Sequence, residues 1–283
     1  MPGPPEAAAL ALGRRYRLAL DPRPRGGRAG DLRGAGLGSS VEFQDRRAFL
    51  PGDDLRRLDW RAYARTDRML LRQHREEVTP VLELLVDDSR SMAVDDEKAA
   101  RLVGLLALLI EAARGGGWRV RLSRVMGDRD YKLDMDLLLR EGLTLEGMGN
   151  PLAGARALAG RLVPGSLAVL LSDLLFPGEP DGLVGALLAR AGRLAVVQLL
   201  GADDERPPTG TFRLQDAETG EALERALDAA AVAAYQERLA RHAAGWRETC
   251  QRRGALYVRL SAAEGLEALA RGPLTEAGLL VPA

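Results

Sequence analysis

Continuous apolar strands that alternate with amphipathic helices constrain the fold of this chain more than any other feature. The segments VLELLVD (81–87), SLAVLLSDL (166–174) and RLAVVQLLG (193–201) are apolar at nearly every position, as strands buried on both faces require. Between them, residues 97–117 and 181–192 repeat apolar side chains every three or four positions, which predicts helices. The alternation predicts an α/β domain with a largely parallel sheet and helices on both of its faces.

Weaker patterns extend this organisation toward both ends of the chain. Further strands are predicted at 69–74, 118–127, 130–135 and 255–260, and further helices at 1–20, 151–163, 228–252, 263–271 and 274–280. We expect three parts: an N-terminal helix and a Gly/Pro/Arg-rich loop (1–40), a charge-rich segment packing on the main domain (41–79), and the main domain itself (80–283). The main domain should contain a hairpin insertion near 211–227.

Acids and hydroxyl groups directly follow two of the apolar strands. Asp87, Ser89 and Ser91 follow the first strand, and Ser172 and Asp173 end the second. In an open parallel sheet, ligands bind in the crevice beyond the carboxyl ends of the strands, so these side chains are expected to meet there. Carboxylate and hydroxyl oxygens suit a hard divalent cation such as Mg²⁺. The sequence therefore indicates a candidate cation site.

Two other interpretations of the first stretch remain open. Ser89 and Ser91 could simply cap the following helix, with Asp95 or Asp96 as its N-cap residue. Alternatively, Asp87 could serve a Mg²⁺-dependent phosphohydrolase or phosphotransfer enzyme. Aspartyl phosphatases place a second acid two positions after the nucleophile, and that position is Ser89 here. The residues themselves thus favour binding over catalysis.

The spacing Asp87-x-Ser89-x-Ser91, combined with Asp173, resembles the metal-ion-dependent adhesion site of von Willebrand factor A-type domains. The resemblance implies a von Willebrand factor A-like (Rossmann-like) fold, bound Mg²⁺ or Mn²⁺, and non-catalytic protein binding in which a carboxylate of the partner completes the metal coordination. That family also uses a loop threonine as a ligand. Asn150 stands at the matching place here, so we expect its carbonyl oxygen to take the role of the threonine.

A longer match precedes the first buried strand. Its motif residues are Glu42, Phe43, Asp45, Arg47, Asp53, Asp54, Arg56, Asp59, Trp60 and Arg65. Together with the segment 214–221 and with Tyr235, these residues resemble the bacterial family known as domain of unknown function fifty-eight (DUF58), over about Gly30 to the C-terminus. The resemblance implies an adaptor or assembly factor that works with a MoxR-type AAA ATPase on a client protein.

The charge-rich segment 41–79 allows three roles. Its acids and arginines interleave, so carboxylates lie close to the guanidinium groups and an ion-paired structural cover is expected. A docking surface for a protein partner is the second role. Nucleic-acid binding is the third, and the neighbouring acids oppose it because they neutralise the field that phosphate groups require.

Composition limits the remaining classes of function. Forty Lys and Arg residues offset forty Asp and Glu residues, so no net field draws the chain to nucleic acid. Cys250 is the single cysteine, which excludes an internal disulfide and fits a reducing compartment. The apolar runs are too short for a membrane span, and the N-terminal charges are ordered unlike those of a signal peptide. We expect a cytoplasmic protein in which His74 and His242 are surface residues.

Overall fold

The computed structural model describes residues 2–19, 46–49, 58–72, 79–126, 132–147, 151–217 and 220–283. The strands are β1 (Tyr16–Leu18), β2 (Arg46–Ala48), β3 (Leu70–Arg72), β4 (Val81–Val86), β5 (Arg119–Arg124), β6 (Leu167–Ser172), β7 (Arg193–Leu200), β8 (Gly210–Gln215), β9 (Ala222–Leu227), β10 (Leu256–Ser261) and β11 (Leu280–Pro282). The α-helices are α1 (Ala7–Gly13), α2 (Trp60–Thr66), α3 (Asp96–Gly115), α4 (Met135–Glu141), α5 (Pro151–Ala159), α6 (Pro180–Arg190), α7 (Ala202–Glu205), α8 (Ala229–Arg253) and α9 (Leu266–Leu269). The chain divides into two compact units, Met1–Gly26 with Thr79–Ala283, and Gly27–Val78.

A five-stranded parallel sheet forms the centre of the larger unit. The strand order is β10-β7-β6-β4-β5, and every neighbouring pair is parallel. From β4 the chain passes first to β5 on one side and then to β6 on the other, so the order reverses between β4 and β6. The prediction of a largely parallel α/β sheet is confirmed, and the carboxyl edge of this sheet has a topological switch point, where ligands bind in such sheets.

Each buried strand contributes to two hydrophobic cores because successive side chains point to opposite faces of a sheet. In β4, Leu82, Leu84 and Val86 belong to one core, whereas Leu85 belongs to the other. The first core includes the buried face of α3, and the second includes residues of α5 and α6 together with Trp246 of α8. Helices therefore cover both faces of the sheet, as the sequence predicts.

The N-terminal residues form less helix than the sequence predicts. Helix α1 ends at Gly13, which approaches α3 so closely that a Cβ atom there would lie 2.7 Å from the carbonyl oxygen of Leu108. The chain then forms β1, which pairs antiparallel with β11, placing Tyr16 opposite Pro282. The prediction of helix over 1–20 is thus wrong beyond α1. In the helix predicted over 274–280, the last residue, Leu280, instead begins β11.

Two other segments of the larger unit bear on sequence predictions. Within 130–135 the described residues contain an isolated bridge between Lys132 and Ser123 and the first residue of α4, Met135, and no strand. Helix α4 begins at Met135 because Asp134 caps it, its Oδ1 accepting hydrogen bonds from the backbone N–H groups of Asp136 and Leu137. In the region where a hairpin is predicted, β8 and β9 pair antiparallel, with Leu214 opposite Leu223.

Within the smaller unit, the described residues form the antiparallel pair β2–β3 and helix α2. Arg46 lies opposite Arg72, and β3 falls inside the strand predicted at 69–74. Asp59 begins α2 as its N-cap, with Oδ1 accepting a hydrogen bond from Ala62 N. Considering both units, no helix in the described parts of the chain is long and apolar enough to cross a membrane.

Candidate metal centre

The candidate site lies beyond the carboxyl ends of β4 and β6, at the switch point of the sheet. Asp87 directly follows β4 and Asp173 directly follows β6. The backbone N–H of Asp87 donates a hydrogen bond to the carbonyl oxygen of Leu171, which joins the two strand ends at this level. Both acid side chains are buried. The register of two adjacent parallel strands therefore brings the two acids together, as the sequence predicts.

Both carboxylate oxygens of Asp87 accept hydrogen bonds. Oδ1 accepts from the backbone N–H of Ser89 at 3.0 Å, and Oδ2 accepts from the hydroxyl group of Ser172 at 2.6 Å. Burial and the neighbouring Asp173 carboxylate raise the pKa of Asp87 to about 6, although the hydrogen bonds oppose that shift. A cation at this carboxylate would relieve the cost of keeping it ionised.

The Asp-x-Ser-x-Ser spacing brings two hydroxyl groups together. The Oγ atoms of Ser89 and Ser91 lie 2.9 Å apart, across the start of a single 3₁₀ turn that spans Arg90–Ala93. Ser89 precedes this turn but makes no side-chain capping hydrogen bond. Helix α3 is capped instead by Asp95, whose Oδ1 accepts a hydrogen bond from the backbone N–H of Glu97 at 2.8 Å. The interpretation of Ser89 as a cap is therefore wrong, whereas Asp95 is the N-cap residue.

The side chain of Asp88 makes different contacts from that of Asp87. Its Oδ1 accepts a hydrogen bond from the backbone N–H of Met126 at 2.8 Å, and its Oδ2 lies 3.8 Å from Nη1 of Arg124. Its carbonyl oxygen accepts a hydrogen bond from Gly147 N. Asp88 thus fastens the end of β4 to the end of β5 and to a following loop, and only Asp87 of the acid pair faces Ser172.

Lys98 is the main site residue that sequence reasoning missed. It lies in the first turn of α3 and is only 1% exposed. Its Nζ donates hydrogen bonds to Oδ2 of Asp173 at 2.9 Å, to Oδ2 of Asp204 at 2.7 Å and to the carbonyl oxygen of Ser91 at 3.3 Å. Burial by itself lowers the pKa of Lys98, but the two carboxylates outweigh burial and raise the pKa, so the ammonium group stays charged.

The position of Lys98 on α3 carries a sequence signal. Leu102 and Leu105 follow it by four and seven residues, and both are fully buried. On a helix these spacings fall on one face, so Lys98 lies on the apolar face of α3 and not on its solvent face. A lysine on such a face needs a buried anion, and Asp173 is one.

Asp173 is held on several sides. Its Oδ1 accepts a hydrogen bond from Leu175 N at 3.0 Å, and its carbonyl oxygen accepts one from Nε2 of Gln198 at 2.8 Å. The next residue, Leu174, adopts the left-handed backbone conformation with φ 59°, which is strained for a leucine. Nε2 of His242 lies 2.7 Å from the carbonyl oxygen of Leu174. His242, predicted at the surface, is instead partly buried because it braces this turn.

The donor set has the chemistry that a hard divalent cation requires. Asp87 offers carboxylate oxygens, Ser89 and Ser91 offer hydroxyl oxygens, and Asp173 lies beside them with Lys98 as its ion-pair partner. The described residues contain no group of three or more His, Cys, Asp or Glu side chains that could hold a metal, so the hydroxyl groups would be indispensable ligands. Asn150, the remaining predicted ligand, lies outside the described residues.

The predicted signature residues of the smaller unit are described only in part. Glu42, Phe43, Asp45, Asp53, Asp54 and Arg56 lie outside the described residues, and Arg47 is described only as backbone of β2. Asp59 is buried as the cap of α2. Trp60 is 60% exposed, with its ring edge-on to Tyr63, and Nε of Arg65 donates to the carbonyl oxygen of Arg61. Asp59 therefore stabilises the helix, whereas Trp60 presents a large apolar surface.

The family model described as "Protein of unknown function DUF58" matches residues 45–245. The chain belongs to the DUF58 family. Uncharacterized proteins of Mycobacterium bovis and Mycobacterium tuberculosis are each 30% identical over 276 residues, which covers 91% of this chain and 85% of each relative. The elements that hold the candidate site of this DUF58 protein, from β4 to α7, fall inside the matched range.

Two solved structures match this DUF58 protein at low similarity. One is an aerotolerance-related membrane protein from Bacteroides fragilis with multiple mutations to serines, at TM-score 0.39 and 15% identity. The other is the conserved hypothetical protein BatB from Bacteroides thetaiotaomicron, at TM-score 0.35 and 10% identity. Each match covers 70% of this chain and 98% of the solved chain.

Proposed function

We propose that this DUF58 protein is a non-catalytic, metal-dependent protein-interaction module. The observation that supports the proposal most strongly is the convergence of Asp87, Ser89 and Ser91 at the switch point of the sheet. Asp87 is buried, its pKa is raised, and the hydrogen bonds it accepts come from neutral groups. Such a carboxylate is costly unless a cation compensates it, so Mg²⁺ or Mn²⁺ is the expected ligand.

The residues around the site would divide the work of binding a partner. A bound metal would supply an open coordination position for a carboxylate oxygen of the partner. The Asp87 carboxylate would compensate part of the charge of the metal. The hydroxyl group of Ser172 would keep that carboxylate oriented through the 2.6 Å hydrogen bond. Val94 and Leu175, which closely follow the two ligand-bearing strands, are 74% and 39% exposed and would contact apolar groups of the partner. A carboxylate flanked by apolar side chains is therefore the feature that we expect the site to recognise.

The expected partner is a MoxR-type AAA ATPase, with a client protein that the pair assembles or matures. This part of the proposal rests on membership of the DUF58 family and on the partnership with such ATPases that resemblance to this family implies. Catalysis by Asp87 is the alternative, and the engagement of both of its oxygens favours a binding role over a nucleophilic one. The cytoplasmic location stays a prediction.

Metal titration of the wild type and of Asp87→Ala tests the metal part of the proposal. Isothermal titration with Mg²⁺ and with Mn²⁺ should show binding by the wild type and none by Asp87→Ala. Asp203→Ala is a matched control because Asp203 is an exposed acid of α7 and lies outside the ligand set. An absence of wild-type binding at millimolar metal would contradict the proposal.

Pull-down of the MoxR-type ATPase from the same organism, with and without Mg²⁺, tests the partner. Capture should require both the metal and Asp87. Capture that persists in EDTA, or in Asp87→Ala, would contradict a metal-dependent interface. Turnover of a generic phosphate ester that disappears in Asp87→Ala would instead support the enzyme alternative.

A further inference from the structure

Lys98 links the proposed ligand set to an acid that lies outside it. Its ammonium group contacts the carboxylates of both Asp173 and Asp204, and also the carbonyl oxygen of Ser91. The side chains of Lys98 and Asp173 are 2% and 3% exposed, whereas that of Asp204 is 27% exposed. One buried cation is therefore shared between an acid of the metal site and an acid at its margin.

The charges in this cluster set up a competition. Asp173 already has the ammonium group of Lys98 as its ion-pair partner. A divalent ion at Asp87 would lie close to Asp173 and therefore close to the ammonium group of Lys98. The two positive charges would repel each other strongly, because the effective dielectric constant of a buried site is low. Asp204 offers the ammonium group another carboxylate acceptor at 2.7 Å. An ammonium group held more firmly by Asp204 would leave Asp173 freer to face the metal.

We propose that Lys98 competes with the divalent cation for Asp173, and that Asp204 favours metal binding by drawing the same ammonium group away. This inference rests on the proposed metal site. It assigns Lys98 and Asp204 as positioning residues that set the affinity of the site without being ligands. It also predicts selectivity: a monovalent ion brings no more charge than the ammonium group, whereas a divalent ion brings twice as much.

The surroundings of Asp204 suit a fixed acceptor. Its Oδ2 also accepts a hydrogen bond from the backbone N–H of Gly201 at 2.9 Å, and its carbonyl oxygen accepts one from the hydroxyl group of Tyr235 on α8 at 2.7 Å. The next residue, Glu205, accepts hydrogen bonds from Arg259 and from Ser261 of β10. Helix α7 is thus hydrogen-bonded to α8 and to β10. The ammonium group of Lys98 can therefore bind Asp204 more strongly than Asp173 without a movement of α7.

Comparison of Asp204→Asn with Asp203→Asn tests the inference. Both changes remove one negative charge from α7, but of the two acids only Asp204 is seen to contact Lys98 among the described residues. Mg²⁺ titration should show affinity about tenfold weaker for Asp204→Asn and within about twofold of the wild type for Asp203→Asn. Equal affinities in the two variants would overturn the inference.

Lys98→Met supplies the second arm of the test. Removing the competing ammonium group should strengthen Mg²⁺ binding by about tenfold, and adding Asp204→Asn in that background should change little. Weaker Mg²⁺ binding by Lys98→Met than by the wild type would overturn the inference. If Lys98→Met does not fold, the Asp204→Asn and Asp203→Asn comparison decides alone. No binding by the wild type would contradict both proposals, whereas wild-type binding with an unaffected Asp204→Asn variant would contradict only this one.

Discussion

Two buried acids, one within β4 and one just after it, differ in how the protein compensates their charge. Glu83, in the middle of the strand, accepts a hydrogen bond from Nη1 of Arg121 at 2.8 Å and another from Val163 N at 2.9 Å. Asp87, just after the strand, accepts hydrogen bonds from the neutral groups of Ser89 and Ser172, and the neighbouring charge that raises its pKa is that of another acid, Asp173. Burial raises the pKa of both acids.

The comparison separates an acid that is paired with a cation of the protein from one that is not. The charge of Glu83 is compensated by the protein itself, because Arg121 pairs with it across β4 and β5. The charge of Asp87 is compensated less completely, at the edge of the sheet where ligands bind. A protein tolerates such an arrangement at a functional site when binding repays its cost.

Removal of the cation beside Glu83 should have the largest effect on stability. Arg121→Met leaves a buried carboxylate without its ion-pair partner, and we expect the free energy of unfolding to fall by about 2 kcal/mol at pH 8. This loss is smaller than for a fully buried ion pair because Arg121 is partly exposed. The change raises the pKa of Glu83 further, and a raised acid pKa lowers stability as pH rises, so the loss should shrink near pH 5. Chemical denaturation at both pH values measures the loss, and Arg119→Met on the same strand should cost less, because Arg119 acts on Glu83 through its charge whereas Arg121 also donates a hydrogen bond to it. An equal loss in Arg119→Met would contradict the assignment of Glu83 as an ion-paired brace.

Neutralisation of Asp87 should have the opposite sign in the metal-free protein. Asp87→Asn removes a charge that burial and Asp173 disfavour, so we expect a gain on the order of 1–2 kcal/mol at pH 7.5. The pKa of Asp87 is raised to about 6 in the folded state, so the gain should be complete above that pH and vanish near pH 4. Glu83→Gln is the matched comparison and should gain less than Asp87→Asn, because it also removes the ion pair with Arg121 that partly offsets the burial of Glu83. Denaturation in EDTA measures both variants, and a loss in Asp87→Asn would show that Asp87 is already fully compensated.

Ser172→Ala should have the smallest effect of the three. The change removes the hydroxyl donor to Oδ2 of Asp87, and we expect a loss of about 1 kcal/mol at pH 7.5. The pKa of Asp87 should also rise, which makes the loss smaller at low pH. The same change in an Asp87→Asn background should cost less, since no ionised oxygen then accepts the hydrogen bond. A double-mutant cycle measures that difference, and strict additivity would argue against coupling between the two side chains.

The sequence is sufficient to predict the sheet and the acids at its edge. Buried parallel strands have continuous apolar patterns, and adjacent parallel strands bring their carboxyl ends together, so the meeting of Asp87 and Asp173 follows from local patterns. Short elements carry too few residues for a pattern. For this reason the sequence does not predict β1 and β11, with three residues each, or α4, whose first residue Met135 falls at the end of a predicted strand.

Local sequence patterns do not predict which charged side chains pair with each other in the site. Helical spacing places Lys98 on the apolar face of α3, but its partners, Asp173 just after β6 and Asp204 in α7, are distant in sequence and are not indicated by that spacing. Asp204 belongs to a four-residue helix with an acidic sequence and gave no signal of its own. The pairing of Lys98 with Asp173 therefore emerges only when the sheet is assembled.

The most direct test of the account is thermal unfolding of the wild type and of Asp87→Asn, each in EDTA and in excess Mg²⁺. In EDTA, Asp87→Asn should be the more stable protein. Excess Mg²⁺ at about 100 times its Kd should then stabilise the wild type by about 2.7 kcal/mol and leave Asp87→Asn unchanged. An equal Mg²⁺ response in the two proteins, or no response in the wild type, would contradict the claim that Asp87 is a cation ligand.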